Sequence, residues 1–150
     1  MRAVIQRVTE ASVTIDGTVK SKIKNGLVVL LGVEPEDTLA DAIWLSKKIG
    51  HMRIFADTKG LMNLSVQDVD GEVMVISQFT LFASTVKGSR PSFIKAAKPE
   101  MARLMYEMFC KELRDIISRP IRTGEFGADM KVALVNNGPV TIIMDSKNKE

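Results

Sequence analysis

Two short stretches of this chain carry polar groups where the surrounding pattern gives no structural need for them. Ser77-Gln78-Phe79-Thr80 puts three polar side chains into a run, Glu72 to Phe82, that otherwise looks like a buried strand. Ser77 and Thr80 could satisfy backbone groups at a strand end. Asn136-Asn137-Gly138-Pro139-Val140-Thr141 is the second stretch. It has the residues of a simple turn, but Gly-Pro is also where a cis peptide bond is readily accommodated.

The usual machinery of acid–base and nucleophilic catalysis is thin. The chain has one His and one Cys. His51 lies in an apolar context and reads as packed or surface, so a Ser-His-Asp arrangement lacks its base. Cys110 falls on a methionine-rich helical stripe and reads as core. With so few soft ligands, no zinc site is expected, and no metal or cofactor is assigned. No Gly-rich phosphate loop or dinucleotide fingerprint appears. The pairs Glu34/Glu36 and Asp68/Asp70 sit in turns and read as solvated surface.

Several elements must position these residues. Ala3–Val8 and Ser12–Asp16 read as strands, and Asp16-Gly17 signals a hairpin into Thr18–Lys20. The run 26–33 is apolar throughout and reads as a strand buried on both faces. Asp37 or Thr38 caps a helix whose stripe is Leu39, Ala42, Ile43, Ser46 and Ile49, stopping at Gly50. Residues 51–55 resume as strand, and 57–63 are turn-rich. Thr85 to Phe93 is a loop centred on Lys87-Gly88-Ser89-Arg90-Pro91. Pro99 opens a second helix with apolar positions Met101, Leu104, Met105, Met108, Phe109, Leu113, Ile116 and Ile117, ended by Pro120. Met130–Val135 and Val140–Met144 are two closing strands, and Lys147–Glu150 is a frayed tail.

Runs of strands with two main helices predict an α+β fold with largely antiparallel sheets or a partly closed barrel. The length of 150 residues and 45% hydrophobic content suit one domain, residues 1–150. No apolar run approaches a membrane span, and the amino end is too short and polar for a signal peptide. A reducing, cytoplasmic location is expected. A net charge of +3 permits a polyanionic partner without requiring one.

Four segments together carry a resemblance that spans the chain: Met1-Arg2-Ala3-Val4-Ile5-Gln6-Arg7-Val8, Ser77-Gln78-Phe79-Thr80-Leu81, Thr123-Gly124-Glu125-Phe126-Gly127-Ala128-Asp129-Met130, and Asn137-Gly138-Pro139-Val140-Thr141. In this order and at this spacing they resemble the D-aminoacyl-tRNA deacylases. The resemblance implies hydrolysis of the ester joining a D-amino acid to the terminal adenosine of tRNA, and clearance of glycine mischarged on alanine tRNA. It implies a homodimer with two sites at the interface. Gly138-Pro139 would be cis and reach into the partner's pocket, excluding an L side chain. Ser77, Gln78, Phe79 and Thr80 would line the catalytic pocket, with Gly138, Pro139, Val140, Thr141, Phe126 and Arg7 as substrate-binding residues.

An aminoacyl ester is already activated, so a placed water and oxyanion donors suffice. The terminal ribose 2′-hydroxyl would stand in for the missing base. Thr80 as nucleophile would need an activating base, and none is near in sequence, which favours a positioning role. Arg7 would hold the Gly-Pro loop, unless it is an ordinary strand-face ion pair. Lys87 and Arg90 would contact phosphates of the acceptor end of aminoacyl-tRNA, or form a solvated loop. Lys20, Lys22 and Lys24 alternate on one strand face, extending that patch or guarding an edge. Two rivals remain at this stage: a paralogous deacylase removing L-alanine from the wrong tRNA, and a non-catalytic RNA-binding module, which the low aromatic content disfavours.

Overall fold

The computed structural model describes residues 1–149. Its first half is built from β1 (Arg2–Ile15), β2 (Thr18–Ile23), β3 (Gly26–Gly32), α1 (Leu39–Gly50) and the short strands β4 (Phe55–Ala56) and β5 (Met62–Leu64). The second half contains β6 (Glu72–Ser77), a 3-10 turn at Phe79–Phe82, α2 (Pro99–Ile117), β7 (Ile121–Thr123) and β8 (Lys131–Asp145).

Strand β1 organises the main sheet. It pairs antiparallel with β2, β3 and β8, while β3–β6 and β6–β7 are parallel. The order is β2-β1-β3-β6-β7, with β8 added alongside β1. The sheet curls until its two edges meet, where the Ser21 hydroxyl on β2 donates to the Thr123 carbonyl on β7 at 2.7 Å. This is the partly closed α+β barrel that the strand-rich pattern predicts.

Both faces of the curled sheet bury apolar side chains. On one face, Ala3, Ile5, Leu27, Val29, Val73 and Val75 pack against Leu45 and Ile49 of α1 and Phe109 and Leu113 of α2. On the other, Val8, Val13, Val28, Met74 and Ile76 form a second cluster with Met130, Val132 and Leu134. Burying two faces explains why 26–33 reads as an uninterrupted apolar run rather than an alternating one. Fully burying one such aliphatic side chain contributes about 1.5–3 kcal/mol.

Asp41 sets the start of α1. Its Oδ2 accepts from the Thr38 N–H and from the Thr38 hydroxyl, both at 2.9 Å.

Several elements differ from expectation. The strand expected over Glu72–Phe82 stops at Ser77, because its partner β3 ends at Gly32 and its last paired residue is Leu31. The chain then turns through Phe79–Phe82. Residues 51–54 are a loop and only Phe55–Ala56 is strand, since His51 caps the end of α1. The two closing strands are one, β8, interrupted by register shifts that eject residues 137–140 from its pairing with β1. The helix stripes are also narrower. Leu39 and Leu104 are exposed, at 44% and 58%, because the buried lines run through Ala42, Leu45 and Ile49 and through Met105, Phe109 and Leu113. Lys147 is not frayed: its Nζ lies 2.9 Å from Asp41 Oδ2 and 3.0 Å from the Glu36 carbonyl. Glu150, the last residue of that expected tail, lies outside the described residues.

Candidate active site

Where β6 gives way to the 3-10 turn, the polar motif comes to the mouth of a pocket. The turn forms because the chain has run out of strand partner. The Gln78 N–H makes one last bond to the Leu31 carbonyl at 2.7 Å, and the Leu81 N–H then folds back to the Gln78 carbonyl. Gly32 permits the close approach, since a Cβ there would sit 3.0 Å from the Gln78 carbonyl oxygen and 3.1 Å from the Phe82 ring. Phe82 is buried beneath the turn and Phe79 stands 55% exposed above it.

The pocket encloses about 250 Å³. Ser77, Gln78 and Phe79 form one wall, and Phe126, Ala128 and Met130 another. Two of the four segments singled out in the sequence, far apart along the chain, therefore meet at one cavity. Tyr106 and Ala102 of α2 close a side. Both were missed in the sequence, because a tyrosine on a buried helical stripe gives no sign of which pocket it borders.

Among the described residues no carboxylate, imidazole or thiol lines this cavity. Tyr106 is no base: burial, reinforced by the nearby Cys110, pushes its phenol far above the ordinary range, and its O–H donates to the Val75 carbonyl at 2.7 Å. Burial likewise pushes the half-buried Cys110 thiol up to about 12, so it stays protonated and unreactive near neutrality. The Thr80 hydroxyl does not line the cavity; it accepts a hydrogen bond from the Gln78 side-chain amide. Among the described residues no side-chain hydrogen bond of Ser77 or Thr80 goes to the backbone, so strand-end satisfaction does not account for the motif. The pocket's polar groups are few, chiefly those of Ser77 and Gln78 in a mainly apolar lining. Phe79 and Thr80 open the turn, where N–H groups have no acceptor within the turn itself.

A tilted contact of Phe126 with Tyr106, with ring centroids 5.9 Å apart, and the Arg103 guanidinium 4.9 Å over the Phe126 ring fix that wall. Phe79 meets Phe93 edge to face at 5.0 Å. The bridge between Ser84 and Ser92 closes the intervening loop, so Lys87 and Arg90, both exposed, project from a loop based at the pocket rim.

The Gly-Pro segment is elsewhere. The Gly138–Pro139 peptide bond is cis. Asn136 braces the turn from within, accepting the Val140 N–H at 3.0 Å and donating to the Thr141 hydroxyl at 2.9 Å. Arg7 braces it from outside. Its Nε donates to the Asn137 carbonyl at 3.0 Å and its Nη1 to the Ile54 carbonyl, so it is a backbone clamp rather than a strand-face ion pair.

Sheet register shows how far this turn lies from the pocket of its own chain. Asn136 is opposite Val8, Val8 opposite Gly26, and Gly26 opposite Glu72. Ser77 lies on another row, with Leu31, Ala3 and Met144. These two rows are five residues apart along β6, about 16 Å at strand rise, and the row of Thr141, through Gln6, Val28 and Met74, is three residues from Ser77, about 10 Å. Gly138, Pro139, Val140, Thr141 and Arg7 therefore stand together, apart from Ser77, Gln78, Phe79 and Phe126.

The remaining sequence candidates are not catalytic in this geometry. His51 is exposed, with Nδ1 2.9 Å from the Lys47 carbonyl. Among the described residues no group of three or more His, Cys, Asp or Glu is placed to hold a metal ion. No helix among them is long and apolar enough to cross a membrane.

The family model of D-Tyr-tRNA(Tyr) deacylase matches residues 4–145. A protein of Parabacteroides distasonis named D-aminoacyl-tRNA deacylase is 59% identical over 150 residues, covering all of both chains. One of Flavobacterium johnsoniae with the same name is also 59% identical over the full length of both. Among solved structures, the c-Myc DNA Unwinding Element Binding Protein superposes with a TM-score of 0.90 at 41% identity, covering 97% of this chain and 98% of that one. A probable eukaryotic D-amino acid tRNA deacylase shares the fold, with a TM-score of 0.79 at 15% identity over 95% and 97% of the two chains.

Proposed function

This chain belongs to the D-Tyr-tRNA(Tyr) deacylase family, and on that premise we propose that its single domain hydrolyses the ester of D-aminoacyl-tRNA, releasing the D-amino acid and tRNA. The observation that carries the reading is the pocket that brings Ser77–Phe79 against Phe126–Met130 and that, among the described residues, is lined by no carboxylate, imidazole or thiol. Such a site suits an ester that is already activated. The aminoacyl group lies against Gln78 and Phe79, and the N–H groups of Phe79 and Thr80 donate to the oxyanion as a water adds to the carbonyl carbon. In the mechanism we favour, the adjacent ribose 2′-hydroxyl relays the proton to the departing 3′-oxygen. Thr80, held by Gln78, positions rather than attacks.

Chiral selection requires a second part. Gly138-Pro139 supplies it from the other copy in a homodimer, placing backbone carbonyls where an L side chain would project. Hydrogen passes, so D-aminoacyl and glycyl esters are accepted. Two features support this division. The two ends of the turn, Asn136 and Thr141, fall on rows about 16 Å and about 10 Å along the sheet from Ser77 of its own chain. And an apolar row, Ile143–Val4–Leu30–Ile76, crosses four strands from a 71%-exposed Ile143 to the pocket wall. Exposed apolar surface contiguous with a functional pocket is what a second subunit covers. Lys87 and Arg90, on the loop at the rim, meet acceptor-end phosphates. Charged tRNA is made in the cytoplasm, where this activity would serve.

The experiment is ester loss from D-tyrosyl-, L-tyrosyl- and glycyl-tRNA with the purified protein under single-turnover conditions. Rapid loss from the D and glycyl esters with the L ester spared is the expected result. Loss from L-alanyl-tRNA alone would indicate the paralogous activity, and binding without hydrolysis would indicate an RNA-binding module.

A further inference from the structure

A second concavity lies on the outside of the barrel, at the seam where the sheet edges meet. This open groove of about 1180 Å³ is lined by Lys20, Lys22, Lys24 and Arg122, with Glu10 and Glu72. It shares no residue with the deacylation pocket. All four cations are exposed. Lys20 and Lys22 lie on β2, Lys24 on the bend just after it and Arg122 on β7, and the Ser21–Thr123 hydrogen bond pins β2 to β7 so that Arg122 faces the lysines across the seam. Among the described residues none of the four is in an ion pair. Of the two carboxylates, Glu72 is engaged, accepting the Lys24 N–H at 2.7 Å. The groove thus holds a local excess of two positive charges, when the whole chain carries only +3.

We propose that this groove binds the phosphate backbone of the substrate's acceptor stem. The inference rests on the deacylase reading for the identity of the RNA. Lys20 at the bulge of the β1–β2 pairing, Lys22 on the strand and Lys24 on the following bend all line the groove, and with residues two apart in extended chain about 6.6 Å apart each can meet a phosphate along one polynucleotide strand. Position also favours it. The groove floor ends at Val135, next to Asn136, where the Gly138–Pro139 turn begins. A stem held here runs toward the turn that this protomer lends to its partner, so the groove of one subunit serves the site of the other. Lysines on an edge strand also deter edge-to-edge aggregation, but that role needs neither a concave floor nor a facing arginine.

The test compares wild type, the triple variant Lys20→Ala/Lys22→Ala/Lys24→Ala, the triple Lys→Arg variant and Arg122→Ala. Binding of uncharged tRNA is measured against salt concentration, alongside hydrolysis of tRNA-linked and adenosine-linked D-aminoacyl esters. Each lost phosphate contact removes about 0.7–0.9 from the slope of log K against log salt. The triple Ala variant should therefore lose about two to three units and Arg122→Ala about one, while Lys→Arg keeps the wild-type slope. KM for the tRNA ester should rise with kcat unchanged, and the adenosine ester should be unaffected. An unchanged slope in both Ala variants, or wild type that does not bind tRNA, overturns the groove. Failure of wild type to hydrolyse either ester overturns the deacylase reading instead, and the binding slopes still judge the groove.

Discussion

Replacing Gly138 with alanine should separate selectivity from stability. Gly138 has φ = +136°, a conformation L residues rarely adopt. A Cβ there would lie 2.7 Å from Val140 Cγ2, 3.0 Å from the Val140 nitrogen and 3.1 Å from Arg7 Nη2. Val140 is only 8% exposed and cannot swing clear. The conformational cost alone is about 1–3 kcal/mol. Three hydrogen bonds hold the turn: Arg7 to the Asn137 carbonyl, the Val140 N–H to Asn136, and Asn136 to Thr141. Each contributes about 0.5–1.5 kcal/mol. Strain and restraint are of similar size, so the turn should shift rather than absorb the methyl. Residues 137–139 are exposed and outside the β1–β8 pairing, so the damage stays local. A loss of 1–2 kcal/mol would lower Tm by only about 2–8 °C. The ratio of kcat/KM for D over L esters should fall at least about tenfold, which needs only ~1.4 kcal/mol of lost discrimination. The assay is the paired D- and L-tyrosyl-tRNA time course, with a melt on the same preparation. A variant that melts lower yet keeps wild-type selectivity would refute the assignment of chiral rejection to this turn.

Thr80→Ala should lower kcat/KM by about tenfold, the loss of one hydrogen bond; abolished turnover, or an acyl-enzyme trapped on wild type, would make Thr80 a nucleophile instead. Exhaustive EDTA treatment should leave turnover intact, since one His and one Cys offer no credible transition-metal site; loss of activity restored by zinc would contradict this. Burial alone would raise the Asp41 carboxyl, but hydrogen bonds from Lys147, Ser146 and Thr38 outweigh it and hold it well below its usual 3.8. Its folded pKa is thus depressed, so its stabilisation is present above the unfolded value of about 3.9 and is lost as pH falls below it. The Tm gap between wild type and Asp41→Asn should accordingly be full at pH 7 and narrow below about pH 4.

What was legible in the sequence was local. Apolar runs marked β3 and β6, the Thr38 cap and Pro99 marked both helix starts, and the polar Ser77–Thr80 and Asn136–Thr141 stretches stood out because their surroundings were apolar or turn-like. Less legible were features set by partners distant along the chain. Glu72–Phe82 carries strand propensity throughout, yet pairing ends where β3 ends, and the leftover residues turn. Tyr106 borders the pocket only because α2 lies over β6, which no helical periodicity reveals. Lys147 reads as tail by position, but its ammonium finds Asp41 across the fold. The separation of the Gly-Pro turn from the pocket follows from register alone, and register is absent from letters that mark only where strands begin and end.

Cooperation between the pocket of one chain and the turn of its partner can be tested by mixing two crippled chains. One carries Ala128→Trp, whose indole occupies the 250 Å³ pocket; the other carries Gly138→Ala. In a mixed dimer, one site combines both defects and the other combines an intact pocket with an intact turn. Random exchange makes half the dimers mixed, and in these the intact pocket of the Gly138→Ala chain receives the intact turn of its partner, so L-tyrosyl-tRNA hydrolysis should fall to about half that of the same two variants assayed unmixed, with D-tyrosyl-tRNA hydrolysis retained. L-tyrosyl-tRNA hydrolysis unchanged on mixing, equal to the sum of the two separate variants, would mean that each pocket works with the turn of its own chain, and would contradict the account.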